Sequence, residues 1–218
     1  MIDLVVIGAG GFGRETLDVI EAINGVHETY RVVGMVDDAP SPVFLERLTV
    51  RGYRHLGSID EWLASGDGER FVVGVGTPAV RAAMVARIGE HATAATALIH
   101  PTASIGSQFV AGEGTVVCAH ATISTNVRLG AHVHVNPAAV IGHDSTCADY
   151  VSLNPGATVS GEVEIGFRAL IGAKAVILQG LRVGPDATLA ASACLTKNAP
   201  SAATLVGIPA RAPRSPSG

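Results

Sequence analysis

The chain has 218 residues, of which 48% are hydrophobic and only 4% aromatic, with a net charge of -4 at pH 7. This length allows one or two domains, and the composition predicts a core of small aliphatic side chains. A weakly acidic chain offers no basic stripe for a phosphate backbone, so we expect no nucleic-acid partner. No apolar run reaches about 18 residues and no basic leader precedes the apolar start, so we expect neither a membrane span nor a signal peptide. Three cysteines without a CxxC spacing favour reduced thiols in the cytoplasm.

Residues 1–97 have the pattern of a small α/β domain. A buried strand at residues 4–7 precedes a glycine-rich turn and a helix at residues 16–23, and further strands are predicted at residues 31–36 and 71–75, before a helix at residues 79–88. Such alternation places ligand loops at one edge of a parallel sheet. The sequence therefore predicts a half-Rossmann βαβ domain, which is too small for a full dinucleotide fold and suits a mononucleotide better than NAD.

The glycine-rich turn is the first candidate ligand site. Gly8, Gly10 and Gly13 match GxGxxG, in which backbone N–H groups at a helix start approach phosphate oxygens. A turn with packing duties only is the alternative. Asp37 and Asp38 follow the second strand, where their carboxylates would accept hydrogen bonds from a base or ribose, or would instead cap a turn.

A six-residue repeat dominates the second half of the chain. Every sixth residue from 99 to 195 belongs to one series, and fifteen of its seventeen members are Ile, Val or Leu. A helical period of 3.6 cannot produce this spacing, whereas three hexads close one 18-residue coil of a parallel β-helix. Coils lie about 4.8 Å apart, so residues eighteen positions apart stack. We expect this domain and its C-terminal cap to span residues 98–211, and residues 212–218 to be disordered.

Motifs spread over nearly the whole chain point to one family. They are GAGGFGRE from residue 8, the acidic pair at 37–38, GTPAVR ending at residue 81, GHD at 142–144, PGA at 155–157 and VGIPA at 206–210. With these the chain resembles the hexapeptide-repeat sugar acyltransferases of the sialic-acid O-acetyltransferase and bacillosamine N-acetyltransferase type. The resemblance implies a homotrimer of left-handed parallel β-helices, acyl-CoA in the groove between subunits, and a nucleotide-linked sugar on the N-terminal domain. A three-sided prism also suits closed threefold symmetry.

His143 is the candidate catalytic residue. It stands two places after the inward Ile141, where a side chain points outward, and Asp144 follows it. Acyl transfer from a thioester needs a base near neutral pH, and imidazole has a suitable pKa. A carboxylate beside the ring favours the imidazolium formed during attack. In the resembling family the matching His is that base, with an acidic residue beside it; the alternative is an exposed surface pair.

The resemblance also implies the other contacts. Gly161 stacks one coil above His143, where its backbone N–H would meet the oxyanion of the thioester. Two positions depart from the family pattern, because Phe12 and Ser152 stand where relatives commonly have His. Asn136 would lie near the acceptor amine, or belong to a structural ladder. We expect substrate contacts at Gly8, Gly10, Gly11, Phe12, Gly13, Arg14, Asp37, Asp38, Gly76, Arg81 and Asn136, and acetyl-CoA contacts at Ser152, Gly161, Ala173, Ala191 and Lys197.

These observations predict an enzyme that transfers an acetyl group from acetyl-CoA to the amino group of a nucleotide-linked deoxyamino sugar, directly and without a metal. Sugar O-acetylation is the main alternative. A zinc-dependent hydratase resembling the γ-class carbonic anhydrases is a further alternative, suggested by His120, His132 and His134. His134, however, falls at a different hexad position from the other two. A non-enzymatic trimeric scaffold with a nucleotide sensor is the third possibility.

Overall fold

The protein is described by a computed structural model covering residues 1–65 and 68–213. Its N-terminal region is a four-stranded parallel sheet in the order β2-β1-β3-β4. The elements in chain order are β1 (Ile2–Ile7), α1 (Gly11–Val26), β2 (Tyr30–Val36), α2 (Pro42–Val50), α3 (Ile59–Ser65), β3 (Arg70–Val73), α4 (Pro78–Ile88), a 3-10 helix (Gly89–His91) and β4 (Thr93–Ala94).

The predicted βαβ organisation is confirmed, with differences at the helices. Helix α1 begins at Gly11, five residues earlier than predicted, because the glycine-rich turn is itself the first turn of the helix. Gly13 is required there, since a side chain on it would overlap the carbonyl oxygen of Gly8. Helices α2 and α3 were not predicted; α2 begins with Pro42, a residue suited to the first helical turn.

Residues 98–205 form the predicted parallel β-helix, whose two-residue strands pair with strands one coil away. Its first sheet contains β5 (Leu98–Ile99), β8 (Val116–Val117), β11 (His134–Val135), β14 (Ser152–Leu153), β17 (Leu170–Ile171), β20 (Thr188–Leu189) and β22 (Thr204–Leu205). The second contains β6 (Ser104–Ile105), β9 (Thr122–Ile123), β12 (Val140–Ile141), β15 (Thr158–Val159), β18 (Val176–Ile177) and β21 (Cys194–Leu195). The third contains β7 (Val110–Ala111), β10 (Arg128–Leu129), β13 (Thr146–Cys147), β16 (Glu164–Ile165) and β19 (Arg182–Val183).

From residue 117 onward the predicted hexad series lines the interior of the coils, whereas Ile105 in the first coil is 37% exposed. Ile141, Val159 and Ile177 are buried on the second sheet, and Cys147 takes an inward place on the third. Each corner from residue 108 to residue 192 contains a residue in the left-handed backbone region three places after an inward one, such as Asn126 and Asp144 with φ of 59°. Asn and Asp tolerate this conformation better than most residues. The side chain one place before it therefore projects from a fixed corner.

The N-terminal region packs on the first sheet of the β-helix. Leu98 and Val116 share a buried cluster with Leu17 and Ile20 of α1. His134 points from the same sheet into this junction and is fully buried. Of the tail predicted at residues 212–218, residues 214–218 lie outside the described part of the chain. Among the described helices, none is long and apolar enough to cross a membrane.

Candidate active site

His143 and Asp144 occupy a corner between the second and third sheets. The imidazole Nδ1 lies 2.7 Å from Asp144 Oδ2, and the two side chains are 57% and 46% exposed. Because a carboxylate accepts only, Nδ1 is the protonated nitrogen and Nε2 keeps its lone pair. Hydrogen bonds from the Asn126 amide and from His143 hold the pKa of the Asp144 carboxyl below its usual value. The pair is thus arranged as an accessible base with its orienting carboxylate.

Gly161 lies directly above the free nitrogen of His143. A Cβ placed on Gly161 would be 2.5 Å from His143 Nε2, so a side chain here would enter the space in front of the base. Within the described residues the N–H of Gly161 has no protein acceptor. A base and a free N–H donor thus face the same space, as acyl transfer requires.

The carboxyl ends of β1 and β2 carry the glycine-rich turn. The N–H groups of Gly11, Phe12 and Gly13 are the first of α1, which has no side-chain cap, so they are free to meet an anion. Asp37 holds this turn, because its carboxylate accepts hydrogen bonds from the N–H of Ala9 at 2.8 Å and of Ala39 at 3.0 Å. Of the two roles left open for Asp37, the turn contact is therefore present.

Asp38 also acts within the protein. Its carboxylate accepts the N–H of Ile59 at the start of α3 at 3.0 Å and pairs with Arg87 at 2.6 Å. The two carboxylates thus stabilise the loops at the edge of the sheet where a ligand would bind.

A cavity of about 530 Å³ lies beside the glycine-rich turn, between α1 and α2. Three arginines line it, and of these only Arg14 was predicted from the sequence. Arg14 donates to the carbonyl of Ala9 at 3.0 Å and stacks over Phe44. Arg51 pairs with Asp18 and Glu21, whereas Arg47 is exposed and is the freest of these cations. Three acidic residues, Glu15, Asp18 and Glu46, line the same cavity, so side chains of both charges lie next to the start of α1.

Arg81 corrects one prediction. It is fully buried and contacts no ligand space; Nε donates to the His132 carbonyl at 2.9 Å, Nη1 to the Val75 carbonyl at 2.6 Å, and Nη2 to the Tyr150 carbonyl at 2.7 Å. Burial lowers the pKa of Arg81 to about 9. Its role is to join the loop after β3 to two coils of the β-helix. A guanidinium suits this because its donors form a fixed fork.

Ser152 corrects a second prediction. Its hydroxyl donates to the carbonyl of Gly76 at 2.8 Å and accepts from Arg81 Nη2 at 3.0 Å, and its side chain is fully buried. It therefore cannot face a thioester in the groove. Gly76 itself is exposed, and a Cβ on it would meet nothing within 4 Å. The Gly76 carbonyl therefore anchors the loop after β3, while the Cα side of Gly76 faces open space.

Phe12 and Asn136, two further predicted substrate contacts, both make contacts within the protein. Phe12 is half-buried and stacks on His134 with ring centroids 4.2 Å apart. His134 Nε2 in turn donates to the Val73 carbonyl at 3.0 Å, so Phe12 links the glycine-rich turn to the β-helix. Asn136 is 6% exposed and donates to the Leu153 carbonyl at 3.0 Å, which makes it part of the corner structure.

The predicted acetyl-CoA residues separate into two groups. Gly161 and Lys197 lie at the corner that leaves the second sheet, as His143 does. Ala173 and Ala191 stack on each other at the corner that enters it. One protomer therefore does not gather all four around His143.

The histidines considered as zinc ligands have different surroundings. His132 is buried, stacks on Tyr150 with centroids 5.3 Å apart, and burial lowers its pKa to about 4. His120 stands at a corner near His100. Over residues 1–65 and 68–213, no three His, Cys, Asp or Glu side chains are grouped so as to hold a metal ion.

Comparisons with known proteins agree with this geometry. Residues 3–88 match the PglD N-terminal domain. GDP-perosamine N-acetyltransferase of Escherichia coli O157:H7 is 31% identical over 213 residues, which cover 94% of each chain. The acetyltransferase domain of PglB from Neisseria gonorrhoeae FA1090, solved in complex with acetyl coenzyme A, is 30% identical with a TM-score of 0.86, covering 96% of this chain and 98% of that one.

A third relative supports the fold. PerB from Caulobacter crescentus, solved with CoA and GDP-perosamine, is 24% identical with a TM-score of 0.85, covering 97% of each chain. The N-terminal sheet and the β-helix therefore belong to one architecture that is shared along nearly the whole chain. This chain is an acetyltransferase and belongs to the family of hexapeptide-repeat sugar N-acetyltransferases that includes the E. coli GDP-perosamine enzyme.

Proposed function

We propose that the protein transfers the acetyl group of acetyl-CoA to the amino group of a nucleotide-linked deoxyamino sugar. The observation that carries this is the His143 Nε2 facing the open space in front of Gly161. GDP-linked sugars are the first acceptors to test, because the relative matched over 94% of its length acts on GDP-perosamine by name. The unpaired thiols of all three cysteines support a reducing compartment such as the cytoplasm.

In the proposed reaction the sugar amine attacks the thioester carbonyl carbon. The C–N bond forms, the carbonyl oxygen becomes an oxyanion that accepts the Gly161 N–H, and His143 Nε2 takes the proton of the amine. The C–S bond then breaks, and the thiolate leaves as CoA after taking a proton from the imidazolium. Asp144 stabilises the transient imidazolium through Nδ1–H. No covalent enzyme intermediate is needed.

The acceptor is proposed to bind with its diphosphate at the start of α1. The free N–H groups of the first turn of the helix and the positive charges of Arg14 and Arg47 support this placement. Gly76, held by Ser152 and Arg81, would carry the loop facing the sugar.

A homotrimer is proposed because one protomer leaves the acetyl-CoA residues at two edges of the second sheet. A neighbouring copy would bring its Ala173 and Ala191 against the corner bearing His143 and Gly161. Exposed apolar side chains on the outer face support contact there, with Val140 36% and Leu178 39% exposed. Lys197, exposed at the corner after β21, would meet a phosphate of CoA.

The reaction is tested by measuring CoA release with GDP-, UDP- and dTDP-linked amino sugars. We expect turnover with one of them, and a loss of about 10² to 10⁴ in His143→Ala, as for removal of a general base. His91→Ala, an exposed histidine on the 3-10 helix, is the matched control and should retain activity. Acetylation of a sugar hydroxyl alone would favour O-acetylation, and failure to bind acetyl-CoA would overturn the proposal.

The shared groove is tested by subunit complementation. His143→Ala removes the base, and Ala191→Trp blocks the groove of the neighbour, so each variant alone should be inactive. In a mixed trimer, one interface combines the intact His143 of one copy with the intact Ala191 of the other, and activity should return. Mixed trimers without activity would show that each site lies within one protomer.

A further inference from the structure

The corner one coil below His143 carries a third member of the site, Asn126. Its Nδ2 donates to Asp144 Oδ1 at 2.9 Å, while Asp144 Oδ2 accepts Nδ1–H of His143 at 2.7 Å. The three side chains form a chain of hydrogen bonds that ends at the free Nε2. Asn126 lies eighteen residues before Asp144, so the coil spacing itself places the amide beside the carboxylate.

The backbone around these residues is fixed, and the carboxylate is not. The N–H of Asp144 donates to the Thr125 carbonyl at 3.1 Å and that of Asn126 to the Ser107 carbonyl at 2.9 Å. The Asp144 side chain is 46% exposed, so water competes for both of its oxygens. A donor that holds Oδ1 leaves Oδ2 directed at the imidazole, and it limits rotation of the carboxylate about its bond to Cβ.

The Asp144 carboxylate has two side-chain partners at this corner, the Asn126 amide and the imidazole of His143. Glu162 occupies the same corner one coil above, and its N–H donates to the His143 carbonyl at 2.8 Å. The corner positions in register with Asp144 are thus Asn126 and Gln108 below it and Glu162 above it, and His143 is its neighbour in the chain. The Asn126 amide supplies an attractive contact, and it does more than the imidazole to hold the pKa of the Asp144 carboxyl below its usual value.

We infer that Asn126 is a positioning residue for the acetyl transfer. It orients the Asp144 carboxylate, which keeps the proton of His143 on Nδ1 and leaves Nε2 free to accept the proton of the acceptor amine. The inference rests on the proposed function of His143. A purely structural role, as one bond in a corner ladder, predicts a loss of stability without a change in the tautomer or in kcat.

The test uses Asn126→Gly and Asn126→Asp in the full chain. Glycine is safe for the fold, because Gly114, Gly156 and Gly180 already occupy the same corner register with positive φ. Aspartate keeps the shape of Asn126 but replaces the donor with a negative charge. Arg168→Gly is the matched control: Arg168 has φ of 55° and donates to Asp186, eighteen residues away, at 2.7 and 2.9 Å, on a different corner.

Three readouts separate the two roles. In Asn126→Gly we expect kcat to fall about 10-fold, a part of what the whole base supplies, with the KM of both substrates within about 2-fold. Nitrogen NMR of the resting enzyme should show His143 protonated on Nδ1 in the wild type and shared between both nitrogens in the variant. In Asn126→Asp the added charge favours the imidazolium, so the acidic limb of the kcat/KM profile should move to higher pH.

The inference is overturned when Asn126→Gly retains the wild-type kcat and tautomer, or when Arg168→Gly lowers kcat as much. The NMR readout needs no substrate, so it remains informative on its own. Full activity of His143→Ala would refute the proposed base. If the tautomer of His143 still changes in Asn126→Gly, the positioning of the ring by Asn126 would nevertheless be established.

Discussion

Substitution of Gly161 by alanine tests the geometry of the base most directly. The added Cβ would lie 2.5 Å from Nε2, 2.6 Å from Cε1 and 3.0 Å from Cδ2 of His143. Ordinary carbon contacts begin at about 3.5 Å, so the ring must move by about 1 Å. The imidazole is the part that gives way, because it is exposed at the end of a side chain, and its movement stretches the bond to Asp144.

A displacement of about 1 Å at a reacting group costs about 10²-fold in rate, which corresponds to about 2.7 kcal/mol in the activation barrier. The free energy of unfolding should change by less than about 0.5 kcal/mol. Gly161 does not have positive φ, so alanine fits its backbone, and an exposed pair such as His143 with Asp144 contributes little to stability.

The assay is CoA release under saturating acetyl-CoA, with thermal unfolding measured in parallel. The double variant of His143→Ala and Gly161→Ala separates the causes, because the alanine should cost nothing further once the ring is absent. A Gly161→Ala enzyme with wild-type kcat would refute the reasoning. A further large loss in the double variant would show that the added Cβ displaces the thioester as well as the imidazole.

Three further outcomes follow from buried and charged groups. Arg81→Ala should lower the free energy of unfolding by about 3 to 5 kcal/mol in urea titrations, because it leaves several buried carbonyls without donors; a loss below about 1 kcal/mol would contradict the role given to this residue. Burial lowers the pKa of His132 to about 4 and that of His134 well below its ordinary value. The unfolded chain therefore binds more protons below about pH 6.5, and stability, full above that pH, should fall by about 2 kcal/mol per histidine between pH 7 and pH 5. His132→Phe should reduce this slope, and an unchanged slope would argue against it. Arg47→Ala should raise the KM of the nucleotide sugar about 10-fold and leave the KM of acetyl-CoA unchanged, whereas a change in the second KM alone would place the diphosphate elsewhere.

The β-helix could be predicted from the sequence because its core repeats in a fixed register. Each inward aliphatic residue must stack on the one eighteen places away, so the hexad pattern is visible without any structure. The left-handed conformation of the corner residues could not be predicted from the sequence, because thirteen of these residues are not glycine. Backbone hydrogen bonds between coils impose that conformation, and it tolerates residues as different as Tyr150 and Lys174.

The site was predictable only in part. His143 and Asp144 are neighbours in sequence, and Gly161 and Asn126 lie one coil away, so the eighteen-residue spacing locates all four; Asn126 was missed although the same spacing would have found it. Arg81 and Ser152 could not be assigned correctly. Their partners across the domain junction lie 51 to 76 residues away. Whether a polar side chain faces a groove or the other domain depends on how the two domains pack.

The contacts of Arg81 explain how one chain holds two substrates in register. The guanidinium bonds to the carbonyls of Val75 and Gly76 on the N-terminal side, and to that of Tyr150 on the β-helix side. Tyr150 lies seven residues after His143 in the same coil. The loop proposed to face the sugar is thus joined through one buried side chain to the coil that bears the base. Because the amine must reach the thioester to within bonding distance, movement between the two domains would lower the rate directly, and a buried fork of hydrogen bonds restricts that movement more than an exposed ion pair would.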